Sequence, residues 1–234
     1  MKYNKYNYKS YGKKHGKKIT AKDKDHLKQL IEEEVKLNGV NCNLNHIDVS
    51  GVLDMSSLFY ESAFNGDISQ WDTSRVVNML GMFQSSVFNG DISAWDVSKV
   101  QSMGFMFSKS EFDQCISEWN LSGVTSMDYM FAGSKFNKDI SRWNVSNVRN
   151  MSGMFFNGVF NKSISNWKPM SLINKERMFK YSKLEQQAGL PYWANLNIEF
   201  LEQAIDAYQL QKHLNKNLAC VPTKESAIKT AIKI

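Results

Sequence analysis

The large apolar residues in the middle of this chain recur at steps of 24 positions. Trp71, Trp95, Trp119, Trp143 and Trp167 form one series, and Phe64, Phe88, Phe112, Phe136 and Phe160 another. Met55, Met79, Met103, Met127 and Met151 form a third, and Ile68, Ile92, Ile116, Ile140 and Ile164 a fourth. Polar positions keep the same step, so the unit reads W-[DN]-x-S-x-V-x-x-M-x-x-M-F-x-x-x-x-F-[ND]-x-x-I-S-x. A fixed period of this length marks a repeat architecture. One unit cannot bury its apolar face alone, whereas stacked units place each side chain above its own equivalent.

Within one unit, Asp67-Ile68-Ser69-Gln70-Trp71 suits a short strand. Asp72, Thr73 and Ser74 offer capping oxygens. Val76, Met79 and Phe83 then lie at i, i+3 and i+7, which predicts a helix of two to three turns. Asn65, Asn89, Asp113, Asn137 and Asn161 are expected to form a polar ladder that satisfies loop backbone. The predicted fold is an α/β solenoid. It is a leucine-rich-repeat-like right-handed coil with a short parallel strand and a short helix per 24-residue repeat, capped by helices at both ends.

The boundaries follow from where the period starts and fails. Residues 1–18 hold no apolar period and read as a flexible arm. Residues 19–46 hold a predicted N-terminal capping helix over 20–37. In it Thr20 is the expected N-cap, Leu27, Leu30, Ile31 and Val35 share one face, and Asn38-Gly39 is the stop. The repeats span 47–181, five full and a sixth degenerate, with Ile47 at the first Trp place and Lys175 at the last Met place. Residues 182–234 read as a C-terminal cap and tail, with a helix over 197–214 and the period lost near Pro191-Tyr192-Trp193.

Charge sharpens this division. The net charge is +6, and the arm alone holds Lys2, Lys5, Lys9, Lys13, Lys14, Lys17 and Lys18 with no acid. The remainder is close to neutral, so only the arm has the character of a polyanion binder. Cys42, Cys115 and Cys220 are widely spaced and form no metal or redox motif. Together with the lack of a long apolar run, they predict a cytoplasmic protein, or a cell-surface one if a leader has been removed.

The unit Trp95-Asp96-Val97-Ser98-Lys99-Val100-Gln101-Ser102-Met103-Gly104-Phe105-Met106-Phe107, followed by Phe112 and Ile116, resembles the BspA-like leucine-rich-repeat surface proteins. The segment Leu27 to Leu44, ahead of Asn45-His46-Ile47-Asp48-Val49-Ser50, is similar to that family's lead-in helix. The resemblance implies a solenoid that binds protein, commonly in adhesion. It carries over no catalytic residue.

No constellation of catalytic side chains stands out: His15, His26, His46 and His213 all lie outside the full repeats and pair with no nucleophile in a motif. No enzyme activity, metal, cofactor or small-molecule substrate is expected. Asp67, Asp91 and Asp139 suggest a calcium ladder, but Cys115 and Ser163 interrupt it, which favours structural hydrogen bonding. If ladder residues maintain the fold, a partner must read the positions that vary between units. These give Gln114, Glu118, Lys138, Arg142 and Lys162 as the candidate partner-binding residues. The leading functional reading is a monomeric, non-catalytic protein-binding scaffold, an adaptor or an inhibitor acting by surface occlusion. An alternative is a nucleic-acid or nucleoprotein binder, for example a mobile-element-encoded inhibitor of a nucleic-acid-targeting effector. It would use the arm residues Lys2, Tyr3, Lys5, Tyr6, Lys9, Lys13 and Lys14 and the basic later units. A second alternative is an extracellular adhesin.

Overall fold

The computed structural model describes residues 18–186 and 190–194. A two-residue strand, β1 (Ile19–Thr20), leads into helix α1 (Lys24–Asn38). The helix starts at Asp23, whose carboxylate accepts the His26 N–H at 2.9 Å. Thr20, the residue expected to cap it, is committed elsewhere. β1 pairs in parallel with β2 (Ile47–Asp48), Ile19 opposite Ile47 and Thr20 opposite Asp48. The Ile19 and Ala21 N–H groups donate to His46 O and Asp48 O, which keeps this stretch extended until Asp23. The helix ends as expected at Gly39, whose φ of 85° only glycine adopts readily. Leu27, Leu30 and Ile31 of α1 are buried in the cluster that also holds Ile47, Val49 and Val52.

Beyond α1, hydrogen bonds link residues of successive units. Single parallel bridges join Asp54 to Asn78, Asn78 to Ser102, Ser102 to Ser126, Ser126 to Asn150 and Asn150 to Asn174. The bonds between units recur at every second residue. Met79, Gly81, Phe83 and Ser85 N–H donate to Ser102, Gly104, Met106 and Ser108 carbonyls at 2.8–3.0 Å. The residues between them turn back on their own unit, with Met82, Gln84 and Ser86 N–H donating to Met79, Gly81 and Phe83 carbonyls.

This alternation replaces the short helix predicted in each unit. Among the described residues, 49–181 contain no helix. The cause is a pair of left-handed residues four apart in every unit. One series is Ser57, Gly81, Phe105, Tyr129, Gly153 and Arg177, and the other is Glu61, Ser85, Lys109, Gly133, Asn157 and Tyr181. A right-handed helix cannot pass through such residues. The i, i+3, i+7 apolar spacing is met instead by consecutive turns that aim Val76, Met79 and Phe83 inward, each fully buried. The strand predicted over Asp67–Trp71 is also replaced by turns, closed by the Trp71 N–H on Ile68 O at 3.2 Å. Apart from the β1–β2 pair and the Asn43–Asp67 bridge, parallel pairing among the described residues runs instead through the position before the first Met of each unit.

The core is built of columns. Phe64, Phe88, Phe112, Phe136 and Phe160 stack with ring centroids 6.2–6.4 Å apart and nearly parallel planes. Each Trp of the series is buried, and its indole N–H donates to a carbonyl of the preceding unit, as Trp119 does to Ile92 O at 3.2 Å. A fully buried large apolar side chain stabilises by roughly 1.5–3 kcal/mol, so several per unit give an adequate core. The polar ladder is present as well. Asn65, Asn89, Asp113 and Asn137 side-chain oxygens accept the N–H of the equivalent residue one unit on, at 2.8–3.0 Å.

The end of the array departs from the period in a defined way. Lys175 stands where the earlier units have Met, and its ammonium donates to the carbonyls of Trp193 and Ala194. A short helix, α2 (Lys183–Gln186), precedes a 3-10 turn at Tyr192–Ala194. Trp193 is buried and stacks on Trp167 at 6.4 Å. The Trp series therefore gains another member in space, two residues later than the period predicts. The predicted helix over 197–214 lies outside the described residues, as does nearly all of the N-terminal arm.

Candidate interaction surface

Each unit turns its corners on short polar side chains. The Asp67 carboxylate accepts the Ser69 N–H at 3.0 Å, Asp72 that of Ser74 at 3.1 Å, and Asn78 that of Leu80 at 3.1 Å. These are Asx turns, which bind the backbone two residues on. Hydrogen bonds from the serine two residues on hold Asp48, Asp67, Asp72, Asp91, Asp96 and Asp139 below the usual carboxylate range. The aspartates of the suspected calcium ladder thus each spend an oxygen on a turn. Among the described residues no group of three or more His, Cys, Asp or Glu is placed to hold a metal ion.

The variable positions lie outside these corners and columns. Gln114 donates to Asn89 Oδ1 at 3.2 Å, so it braces the polar ladder. Lys138 pairs with Asp113 at 3.0 Å, and Arg142 with Glu118 at 3.4 Å, each pair bridging two units. The second pair is open to solvent, with 77% and 73% of its side chains exposed. Such a pair contributes little to stability, about 0–1 kcal/mol. Lys162, one unit further on, is exposed. Beyond the Ser141 hydrogen bonds, the charges of Arg142 and Lys162 both lower the Asp139 carboxyl. Cys115 is beside them. Its thiol is lowered first by hydrogen bonds from Ser117 and to a smaller extent by Lys138, while Glu118 opposes the shift.

Gln114, Lys138 and Lys162 stand at one position of three successive units and Glu118 and Arg142 at another position of two. Arg149 is not among them: its N–H donates to Thr125 O, in the column that runs from Leu53 and Val77 to Ile173. Sequence reasoning missed Asp113 as the partner of Lys138, although it is the one acid in an otherwise asparagine series. It also missed the half-exposed pair Phe105 and Tyr129, stacked at 5.1 Å on left-handed backbone. The Tyr129 ring lies where a side chain on Gly153 would stand, 2.3 Å from an added Cβ. The nucleic-acid candidates Lys2, Tyr3, Lys5, Tyr6, Lys9, Lys13 and Lys14 lie outside the described residues. No helix among the described residues is long and apolar enough to cross a membrane.

A family model described as Mycoplasma protein of unknown function, DUF285, matches residues 26–135 and again residues 108–219. The double match is consistent with a BspA-like repeat protein. No curated protein and no solved structure matches the chain.

Proposed function

We propose that this chain, which belongs to the DUF285 family, is a non-catalytic protein-binding solenoid of the BspA-like leucine-rich-repeat type, an adaptor or an inhibitor that occludes a partner's surface. The observation that carries this reading is the division of labour between positions. Trp, Phe, Met and Ile columns are buried, and the Asx corners are spent on backbone. What differs from unit to unit on the outside is a mixed-charge group, Glu118, Lys138, Arg142 and Lys162, with Gln114 behind it. Mixed charge arranged on a rigid scaffold suits selective recognition of a protein surface, since complementary charge governs specificity and encounter rate.

The test uses the full chain as bait. The unmodified protein should capture a partner from its source cells. Lys138→Glu, Arg142→Glu and Lys162→Glu together should lose that partner, while Arg149→Glu should keep it. Equal capture by the triple variant would place recognition elsewhere. Capture only of nucleic acid, lost steeply with salt, would favour the nucleic-acid reading.

A further inference from the structure

Charge is divided along the array, whose six units start at residues 47, 71, 95, 119, 143 and 167. The first three units, residues 47–118, carry ten acidic and three basic side chains, a net charge of −7. The next three, residues 119–186, carry four acidic and ten basic, a net charge of +6. The halves pair at their junction, Lys138 with Asp113 and Arg142 with Glu118. The first and last units lie about 24 Å apart at strand spacing. That is beyond the ~8 Å over which charges act at physiological salt, so the outer charges cannot satisfy one another within the chain.

Exposed apolar surface gathers on one segment of the unit. This is the stretch whose alternate N–H groups donate to the next unit, residues 53–61 and their equivalents. Among the described residues nine large apolar side chains are exposed, and six lie on this segment: Leu53, Tyr60, Val77, Leu80, Ile173 and Tyr181. Half-buried rings carry the strip through the middle units. Phe105 stacks on Tyr129 at 5.1 Å, Tyr129 meets Phe156 at 6.4 Å, and Phe156 meets Tyr181 edge-on at 5.6 Å. Every unit thus contributes to the strip, and an exposed apolar strip rimmed by polar residues marks an interaction site. Its charges are ordered too. The first unit supplies Asp54, approached by Lys24 at 3.9 Å, and Glu61, met by the Tyr60 hydroxyl at 2.7 Å. The last supplies Arg177, paired with Glu176 at 3.5 Å, and Lys180, over the Tyr181 ring at 5.0 Å.

We infer that a second copy of this chain docks on this face with its units in reverse order, about a two-fold axis between the third and fourth units. The axis sets the first unit on the sixth, the second on the fifth and the third on the fourth. Running across the array, it keeps equivalent positions of the unit opposite one another. Lys180 of each copy then comes opposite Tyr60 and its neighbour Glu61 of the other. Leu53 meets Ile173 and Phe105 meets Tyr129, large on large, while Gly81 meets Gly153, small on small. Each acidic half lies on a basic half. The contact is isologous and closes at a dimer. It leaves α1 and the Trp193 turn in place over the two ends. It uses other positions of the unit than the proposed partner binding does, and it departs from the monomer expected from the sequence.

Sedimentation of the full chain over a dilution series, with thiols kept reduced, tests it. The unmodified chain should show a monomer–dimer equilibrium that added salt weakens. Glu61→Lys and Lys180→Glu each set like charges against one another at both ends of the interface. Each should raise the dissociation constant by about tenfold or more. An equimolar mixture of the two single variants should regain the unmodified affinity, because positions 61 and 180 of the two copies are then opposite in charge at both ends. Within one chain these positions lie five units apart, so such a rescue acts between copies. Arg142→Glu, off the segment, should weaken the dimer far less. A single monomeric mass at every concentration, a mass that grows past a dimer, or single variants that dimerise like the unmodified chain would each overturn the inference. So would a mixture that dimerises no better than either variant alone, or a loss on Arg142→Glu as large as on Lys180→Glu.

Discussion

Replacing Trp119 with alanine probes the columns at the middle of the array, away from either end. The indole is 4% exposed, sits 6.3 Å from the Phe107 ring and donates to Ile92 O at 3.2 Å. Truncating a large buried aromatic costs about 3–5 kcal/mol. The Ile92 carbonyl loses the indole donor but keeps the Trp95 N–H at 3.2 Å, so the hydrogen bond accounts for only about 0.5–1.5 kcal/mol of such a loss. A typical domain has only about 5–15 kcal/mol in total, so the variant should be close to half-unfolded under mild denaturant. Trp119→Phe keeps most of the apolar volume and loses the donor, so it should fall between the variant and the unmodified chain. Urea titration followed by the fluorescence of the remaining tryptophans measures both. A loss below about 1 kcal/mol for Trp119→Ala would show that the column is not core and would reopen a role for it in ligand stacking.

Three further predictions bear on the turns and close contacts. Gly66→Ala should lower the melting temperature sharply, because an added Cβ would stand 1.9 Å from Cys42 O, and overpacking of this kind costs about 1–3 kcal/mol; an unchanged melt would mean that the 40–45 segment does not lie on the first unit. Lys109→Gly should raise the melting temperature, since Lys109 holds φ at 55° and the equivalent residue one unit on is already Gly133; a lower melt would contradict the left-handed assignment. The aspartates of the corners have folded pKa values below their unfolded value of about 3.9, so the stability they contribute is present above that pH and is lost as pH falls through the folded values. Asp96→Asn, which keeps the accepting oxygen as Asn120 and Asn144 do at the same place in the next units, should soften the acid limb of a melting-temperature profile, and a profile steeper than that of the unmodified chain would refute the turn as its origin.

The columns were legible because one side chain type returns at one step, and burial enforces that recurrence whatever the backbone does between. The backbone between was not legible. Val76, Met79 and Phe83 satisfy a helical spacing, and so do consecutive turns, because both bring every third or fourth residue inward. The signal that separates them is a pair of left-handed residues four apart in each unit. Glycine declares it at Gly81 and Gly153, but Phe105 and Tyr129 occupy the same place in neighbouring units and hide it, as Ser85 and Lys109 do at the place of Gly133. Thr20 was a sound cap by residue type and lost the role to Asp23 because pairing with β2 holds it extended. Trp193 escaped notice because two extra residues move it off the period while its ring still stacks on Trp167. On the candidate surface, residue type and period single out Lys138, Arg142 and Lys162. Their acidic partners Asp113 and Glu118 emerge only from how neighbouring units abut.

The central claim is that a 24-residue unit, stacked on its own equivalents, sets the fold. The most direct measurement is insertion of repeat-length sequence. A second copy of residues 95–118, placed after residue 118, adds one whole unit and keeps every column and ladder in register. That variant should fold and melt cooperatively at or above the temperature of the unmodified chain, because an interior unit adds interfaces of the same kind. Insertion of residues 95–106 alone, half a unit, throws the later Trp and Phe out of register and should abolish cooperative melting. Equal damage from the two insertions would contradict the account.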